Sequence, residues 1–474
     1  MQYPLCLEPL PACKNRYNMS KIPRKGDILK KMIRTMLVTG IWMILVSCGV
    51  NTISRNGNIG ETAITKWQYG RKGAVSLTYD DGTINQFRVA LPIMDSLDIP
   101  ATFFINTGEI IGSKYHGTFI GRPVEEIIGE TETVPTGEDN FMERSSAARF
   151  LGYRGTAAYH TRAGERLDAG RHQEAYEIID ELYEKVRNGE FPPVSTGNQR
   201  TVTANRVSWD EIREFAARGH EFASHMVTHP RLAALDEANT LYELEKSREE
   251  ILNQLGPRHT FSAQVPYGTE NDRAMEFAHT IYPALRNRMP EPFLTELNRW
   301  NRQNPGSADR EYVQWQREAR TSTSLPLKKS WVDTTATHDN VWLVLVYHGV
   351  DGIGWDALPG KMLEEYFNYI KSKENVLWIA TFGDVTKYMR QRMNSDVKVG
   401  HRGRKIFVTL EHSLDYATYN LPMTLKTYVP PGWKSATVKQ DGENKTIHVD
   451  QDEKGNYILY TVIPGSGTVE IAGV

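Results

Sequence analysis

Short apolar segments alternate with amphipathic segments over most of the chain. Ala74–Tyr79, Ala101–Asn106 and Val341–Tyr347 are apolar runs with the length and composition of buried parallel strands. Between the first two, Gln86–Leu97 has the apolar spacing of a helix, which Pro92 interrupts. Strand, helix and strand within about thirty residues form a βαβ unit. This order predicts a parallel sheet.

The alternation is interrupted once and then continues to residue 394. Residues 112–206 contain scattered glycines and one clear amphipathic helix, Gln173–Arg187. They are predicted to be an insertion over the face of the domain near the substrate, or an insertion without a functional role. Six to seven strands alternating with helices over residues 67–394 predict a distorted or incomplete (β/α) barrel. An open doubly wound sheet is the alternative.

The pattern changes near Asn394. Residues 396–474 show short alternating runs separated by turns of Asn, Asp, Gly and Pro, without helical periodicity. This predicts a small all-β sandwich domain. The domain either binds a ligand or packs against the barrel, and Trp433 and the tyrosines are more typical of its core than of a binding surface.

The N-terminus has the features of an export signal. Met36–Val46 is an apolar run that is too short to span a bilayer but fits a signal peptide. The run ends in Leu45–Cys48, which resembles the lipobox of bacterial lipoproteins; an ordinary signal peptide with an incidental cysteine is the alternative. We therefore expect an N-terminal extension and signal peptide over 1–47, a tether over 48–66, and a protein lipid-anchored at Cys48 in the bacterial cell envelope, on the periplasmic or outer-membrane face.

Charge and cysteine content narrow the classes of partner and site. The chain has 474 residues and a formal net charge of −2, so nothing favours a nucleic-acid partner. Its three cysteines are Cys6, Cys13 and Cys48. The folded domains are therefore predicted to contain neither a disulfide nor a cysteine metal cluster.

Two adjacent carboxylates follow the first predicted strand. Asp80 and Asp81 come directly after Ala74–Tyr79 and precede Gly82. Like charges side by side repel, so the pair is tolerable when a cation lies between them or when one carboxylate is protonated. An acidic turn at the surface is the alternative interpretation.

Histidines follow two other predicted strands. His225 and His229 are four residues apart, which would place both imidazoles on one side of a helical turn. Two imidazoles and a carboxylate make a suitable ligand set for Zn²⁺ that leaves one position open for water. His348 follows Val341–Tyr347 and is suited to acid–base chemistry. In β/α barrels the loops after strands lie on one face, so these groups can meet.

Four strand ends together carry a recognisable set of motifs. They are Thr78–Gly82 (TYDDG), His225–His229 (HMVTH), Gln264–Gly268 (QVPYG) and Leu345–His348 (LVYH). In this order they resemble the motifs of the polysaccharide deacetylases of carbohydrate esterase family 4, which have a NodB-type homology domain. The resemblance covers residues 74–390 apart from the insertion.

The resemblance implies a role for each motif. It implies that a divalent metal, Zn²⁺ first and Co²⁺ or Ni²⁺ as alternatives, is bound by Asp81, His225 and His229. It further implies that Asp80 is the general base, that the backbone N–H of Tyr267 holds the oxyanion, and that His348 protonates the leaving group.

Two residues within the motifs depart from the family pattern. Met226 replaces a hydroxyl residue that braces the loop of the two histidines, His225–His229, which we call the metal loop. Gln264, at the substrate side of the site, replaces the arginine that pairs with the base in the family. Loss of that positive charge should leave the pKa of Asp80 less depressed. Arg258 and Arg286 are candidate replacements, and nothing in the sequence selects either.

The motif that positions the catalytic histidine in the family has no clear match. It contains an aspartate near a tryptophan. Asp333, two residues after Trp331, is the candidate to position His348.

The expected function is therefore metal-dependent removal of acetyl groups from an acetylated polysaccharide, with the N-acetyl groups of an amino sugar favoured. Two alternatives remain open. One is a carbohydrate-binding lipoprotein with weakened catalysis, and the other is an esterase that removes O-acetyl groups, as on xylan.

Overall fold

The computed structural model describes residues 58–192, 206–299 and 303–474, which belong to one compact unit. The predicted extension, signal peptide and lipidation site at Cys48 lie outside the described residues. Within the described ranges, no helix is long and apolar enough to cross a bilayer.

The order of elements follows the predicted alternation. The helices are α1 (Leu91–Ser96), α2 (Val124–Glu130), α3 (Phe141–Ala148), α4 (Ala157–Asp168), α5 (His172–Arg187), α6 (Trp209–Ala217), α7 (Glu237–Leu255), α8 (Asp272–Ile281), α9 (Leu325–Thr337), α10 (Gly360–Lys371) and α11 (Phe382–Met393). The strands of the first part are β1 (Thr62–Ile64), β2 (Gly73–Tyr79), β3 (Ala101–Ile105), β4 (Glu221–Ser224), β5 (Ser262–Ala263), β6 (Ala284–Leu285), β7 (Leu294–Leu297), β8 (Tyr312–Glu318), β9 (Val341–Tyr347) and β10 (Leu377–Ile379). The C-terminal strands are β11 (Ser395–Arg402), β12 (Lys405–His412), β13 (Met423–Tyr428), β14 (Ser435–Gln440), β15 (Glu443–His448), β16 (Asp450–Asp452), β17 (Gly455–Val462) and β18 (Thr468–Gly473).

Nine of these strands, β2 to β10, form one parallel sheet. The strand order is β6-β5-β4-β3-β2-β9-β8-β7, and β10 pairs with the start of β2. β9 pairs with β2 from Ala74 to Tyr79. On the other edge of β2, β10 pairs with its first residues and β3 with its last residues. In the described part of the chain β6 and β7 are the two ends of the sheet and do not pair. The predicted distorted, incomplete (β/α) barrel is confirmed.

Alternate residues of the central strand face two environments. Val75, Leu77 and Tyr79 pack into the outer core beneath the helices. Ala74 packs with the inner aromatic cluster, and Ser76 accepts a hydrogen bond from the indole N–H of Trp342 at 3.0 Å. The inward row therefore becomes polar toward the carboxyl end of the strand, and the next inward position is the beginning of the site.

The insertion is a helical subdomain with a core of its own. Helices α2 to α5 bury an apolar cluster that includes Phe141, Ile179 and Tyr183. The sequence pattern predicted only the last of these helices. Helices α2 and α3 have only 7 and 8 residues, and α4 contains Gly164 and several charged residues.

The C-terminal strands form two antiparallel sheets around a shared apolar core, as predicted. One sheet has the order β11-β12-β18-β14-β15 and the other β1-β13-β17-β16. The strand β1 belongs to the predicted tether, and Thr62 pairs with Thr427. The prediction of a tether over 48–66 is therefore wrong at 62–64, because Ile64 packs against the sandwich core.

A buried carboxylate ties the base of the barrel together. Glu221 accepts hydrogen bonds from Thr102 Oγ1 at 2.8 Å and from Gly383 N–H at 2.9 Å, and also from the hydroxyl of Ser262. It thereby joins β3, β4, β5 and α11. We expect Glu221→Ala to lower the free energy of unfolding by about 3 kcal/mol, because it leaves buried donors without an acceptor.

Urea denaturation would measure this loss. Glu245→Ala, at an exposed position of α7, is the matched control and should change stability little. Equal stability of the two variants would contradict the prediction.

Candidate active site

The predicted site residues lie at the carboxyl ends of neighbouring parallel strands. Asp80 and Asp81 follow β2, His225 follows β4 and His348 follows β9. The sheet order places β4, β3, β2 and β9 side by side, so these side chains converge on one rim of the barrel.

Three of these side chains form a group that fits a divalent metal. Asp81 Oδ1 lies 3.2 Å from His229 Nε2 and 3.6 Å from His225 Nε2. All three ligand atoms lie within 4.8 Å of one another. Tetrahedral zinc with ligands at about 2.0–2.2 Å requires separations of this size. His225 Nδ1 donates to the backbone carbonyl of Gln264 at 2.7 Å, which turns Nε2 toward Asp81.

The loops that carry these residues have an unusual backbone. Asp81, Met226, His229 and Tyr267 have φ values of 77°, 68°, 61° and 61°. Left-handed backbone at non-glycine residues costs free energy and persists only where its surroundings hold it. The two histidines therefore do not lie on a helical turn, as their spacing suggested. A turn with two left-handed residues brings them together, with ring centroids 4.8 Å apart.

Other groups brace the metal loop in place of the missing hydroxyl at Met226. The Met226 N–H donates to Ser224 Oγ at 3.1 Å. Buried Glu243 accepts from the N–H groups of Val227 at 2.8 Å and Thr228 at 2.9 Å. Burial raises the pKa of Glu243 and these hydrogen bonds oppose the rise.

Arg286 supplies the guanidinium that the sequence lacks at Gln264. Its Nη1 and Nη2 lie 2.7 and 2.6 Å from the two carboxylate oxygens of Asp80, and the two residues are 1% and 2% exposed. Arg286 follows β6, so it reaches Asp80 across the interior of the barrel. The other candidate, Arg258, pairs instead with Asp384 at 3.6 Å. Gln264 is buried, and its side chain donates to the carbonyl of Val265. Its predicted place at the substrate side stays a prediction.

The ion pair reverses the expected effect on Asp80. Burial would raise the pKa of Asp80, but the charges of Arg286, His225 and His348 together outweigh burial and lower it. The pKa of Asp81 is also lowered: burial acts to raise it, but the interactions with His225 and His229 outweigh burial. Both carboxylates are therefore ionised at neutral pH, one facing a guanidinium and the other facing two imidazoles.

His348 lies on the other side of Asp80. Its Nε2 is 3.5 Å from Asp80 Oδ2, and its ring meets the Trp355 ring edge-on at 4.7 Å between centroids. Burial lowers the pKa of His348, while Asp80 and Asp81 oppose that change.

Asp333 does not position His348, so this prediction is wrong. It accepts hydrogen bonds from Tyr369 OH at 2.6 and 2.8 Å and pairs with Lys373 at 2.9 Å, between α9 and α10 on the outside of the barrel. Two residues along a helix correspond to about 200° of rotation. Because Trp331 faces the core, Asp333 faces outward.

A residue that the sequence analysis did not single out joins the two catalytic strand ends. The side-chain amide of Gln86 donates to the carbonyl of Asp80 at 2.5 Å and to the carbonyl of His348 at 2.8 Å. Gln86 is fully buried in a helical turn whose other inward residues are apolar. A glutamine on the apolar face of a predicted helix was the available signal.

Tyr267 stands at the open side of the metal group. Its side chain is 39% exposed, and its ring meets the His229 ring at 4.6 Å between centroids. The guanidinium of Arg231 lies 4.3 Å from the centre of the Tyr267 ring. The predicted oxyanion role of the Tyr267 N–H stays a prediction.

Comparison with known families addresses the identity of the barrel. Residues 68–132 and 171–281 match the family model for polysaccharide deacetylase. Over these residues the barrel is similar to a polysaccharide deacetylase domain. The matched residues contain Asp80, Asp81, His225 and His229, whereas Arg286 and His348 lie beyond them. The match also omits residues 133–170 of the insertion.

Individual relatives are distant. A gellan lyase from Bacillus sp is 26% identical over 280 residues, which is 55% of this chain and 11% of the lyase, so the chain spans about a tenth of that relative's length. The chitin deacetylase of Colletotrichum lindemuthianum is 16% identical, with 66% of this chain and 88% of that one covered and a TM-score of 0.31. A family 4 carbohydrate esterase from Streptomyces lividans is 12% identical over 65% and 92% of the two chains, with a TM-score of 0.30.

We expect Arg286→Met to destabilise the protein by about 3–5 kcal/mol at neutral pH, because it leaves the Asp80 carboxylate buried without its partner. The pair lowers the pKa of Asp80, so its contribution is present above the ordinary carboxyl pKa and is lost as pH falls through the Asp80 pKa of the folded state. The deficit of the variant should therefore shrink as the solution is acidified.

Denaturation by urea at a series of pH values would measure this difference. Arg258→Met, which removes a guanidinium that is paired with Asp384, is the matched control. A deficit that is small at neutral pH, or that grows toward acid, would contradict the assignment of Arg286 as the partner of Asp80.

Proposed function

We propose that the deacetylase domain is a metal-dependent hydrolase that removes acetyl groups from an acetylated polysaccharide, with the N-acetyl groups of an amino sugar as the first candidate. One observation carries the proposal. The two adjacent carboxylates have different partners: Asp80 pairs with Arg286, and Asp81 faces His225 and His229.

The donor set suits a borderline-soft divalent ion, with Zn²⁺ first and Co²⁺ or Ni²⁺ as alternatives. Asp81, His225 and His229 would hold it. A bound ion would lower the pKa of its water to about 7 and would polarise the acetyl carbonyl.

The protein's own groups then handle the protons. Asp80 is ionised because Arg286 outweighs its burial, so it can accept the proton of the attacking water. His348, 3.5 Å from Asp80 on the side away from the metal group, donates a proton to the leaving amine. The N–H of Tyr267, in the strained turn beside His229, is the proposed donor to the oxyanion.

Two departures in the motifs had favoured a binding protein with weakened catalysis. Ser224 and Glu243 contact the metal loop and replace the missing bracing hydroxyl. Arg286 pairs with Asp80 and replaces the missing arginine. These replacements support an enzyme over a carbohydrate-binding protein.

We expect Asp80→Asn to reduce acetate release from N-acetylated glycan by about 10²–10⁴-fold and to leave metal affinity nearly unchanged, because it removes a base and no ligand. Asp81→Asn should reduce both, because it weakens a ligand. Acetate release and calorimetric titration with Zn²⁺ and Co²⁺ would measure the two effects.

Wild-type activity from Asp80→Asn, or unchanged metal affinity of Asp81→Asn, would contradict the assignment. Acetylated xylan belongs in the same assay. Faster acetate release from xylan than from N-acetylated glycan would assign the domain to the esterase alternative.

We also propose that the mature protein is lipid-anchored at Cys48 in the bacterial cell envelope, on the motif Leu45–Cys48. Cys48→Ala should move the protein from the membrane fraction to the soluble fraction and abolish its labelling by radioactive palmitate. Cys13→Ala is the control. Unchanged fractionation and labelling of Cys48→Ala would refute the anchor.

A further inference from the structure

A groove on the insertion opens beside the metal loop. It has a volume of about 510 Å³. Its walls include the rings of Phe119, Phe150 and Tyr153, and the side chains of Arg122 and Arg149 also line it. All five of these side chains are half-buried, so each has one side against the protein and one toward the groove.

Glycines let the aromatic walls approach the backbone closely. A Cβ atom at Gly117 would lie 2.8 Å from the Phe150 ring and 2.9 Å from the Thr228 methyl group. A Cβ atom at Gly121 would lie 2.5 Å from the Phe119 ring. Any side chain at these two positions would displace a ring of the groove.

Arg149 connects the groove to the metal loop. Its Nη2 donates to the carbonyl of Thr228 at 2.7 Å and to the Thr228 hydroxyl at 3.2 Å. Thr228 immediately precedes the proposed ligand His229. The Nε–H of Arg149 is buried and has no hydrogen-bond partner among the residues that the structure describes. Arg122, in contrast, is held by Glu143 through two bonds of 3.0 Å.

The groove also lies partly outside the family pattern. Arg149, Phe150 and Tyr153 belong to residues 133–170, which the polysaccharide deacetylase match omits. One wall of the groove is therefore a feature of this chain rather than of the common domain.

We propose that this groove is a distal sugar subsite, which binds a further unit of the same glycan chain whose acetyl group reaches the metal centre. Aromatic rings offer flat apolar faces to the C–H face of a sugar ring, and the Arg149 guanidinium offers donors to its oxygens. The shared contact at Thr228 sets the subsite next to the catalytic rim. The proposal rests on the proposed function and adds a place on the insertion where a second unit of the polysaccharide binds.

The first test compares substrates of two lengths. The probes are β-1,4-linked N-acetylglucosamine oligomers of two and five sugars, with 4-nitrophenyl acetate as a substrate that is too small for the groove. We expect kcat/KM of the wild type to be higher for the pentamer than for the dimer. Phe150→Ala should lower the pentamer value about tenfold and leave the values for the dimer and the nitrophenyl ester within about twofold.

Matched variants keep the test decisive. Phe191→Ala removes a half-buried ring from the same insertion that packs against Tyr159 and does not line the groove, and it should leave the preference for the pentamer intact. Phe150→Leu retains apolar volume and should show the same selective loss if Phe150→Ala fails to fold. Equal wild-type values for the two lengths, or equal losses on all three substrates, would overturn the subsite.

A binding measurement separates this proposal from the proposed function. Calorimetric titration of the pentamer into Asp80→Asn, with and without Phe150→Ala, reports binding without turnover. Weaker binding on loss of Phe150 supports the subsite even when the wild type releases no acetate from any substrate, a result that would refute the function alone. Equal binding by the two proteins, alongside normal acetate release by the wild type, would refute the subsite alone.

Discussion

The pairing of Asp80 with Arg286 in the interior of the barrel is the interaction on which the rest of the site depends. Two neighbouring carboxylates cannot both lie buried as charges without compensation. A guanidinium from β6 compensates the first, through two hydrogen bonds at 2.6 and 2.7 Å. The second, Asp81, is thereby left to face His225 and His229. The curl of the sheet is what brings β6 within reach of β2, so the charge balance of the site and the shape of the barrel require each other.

The backbone around the site is held at a cost that its surroundings offset. Left-handed conformations at Asp81, Met226 and His229 are unfavourable for residues with a Cβ atom. In the loop of the two histidines, the Met226 N–H donates to Ser224 Oγ, and the N–H groups of Val227 and Thr228 donate to buried Glu243. Rigid placement of the imidazoles lowers the reorganisation needed when a ligand binds. The buried carboxylate of Glu243 therefore stabilises the left-handed backbone of the metal loop.

The sequence predicted what depends on local order and missed what depends on curvature or rotation. Buried strands, strand-end motifs and the β-sandwich follow from apolar periodicity and turn residues, so Asp80, Asp81, His225 and His348 were placed correctly on the rim. Arg286 could be named only as one of two candidates, because its contact with Asp80 spans 206 positions in the chain. The prediction for Asp333 was wrong because of local geometry: two residues along a helix face nearly opposite directions, so Asp333 faces outward while Trp331 faces the core. The His-x3-His spacing is compatible with a helix, and only the strained turn shows otherwise.

The insertion carries support for the metal loop as well as a groove. The Arg231 N–H donates to His160 at 3.2 Å, and its guanidinium pairs with Asp168 at 2.7 Å, so helix α4 fixes the loop after His229. A lineage that exchanged this insertion to reach a different glycan would also have to replace those contacts. Replacement of the insertion would therefore also remove contacts that fix the loop after His229, which limits how freely this barrel can exchange its insertion.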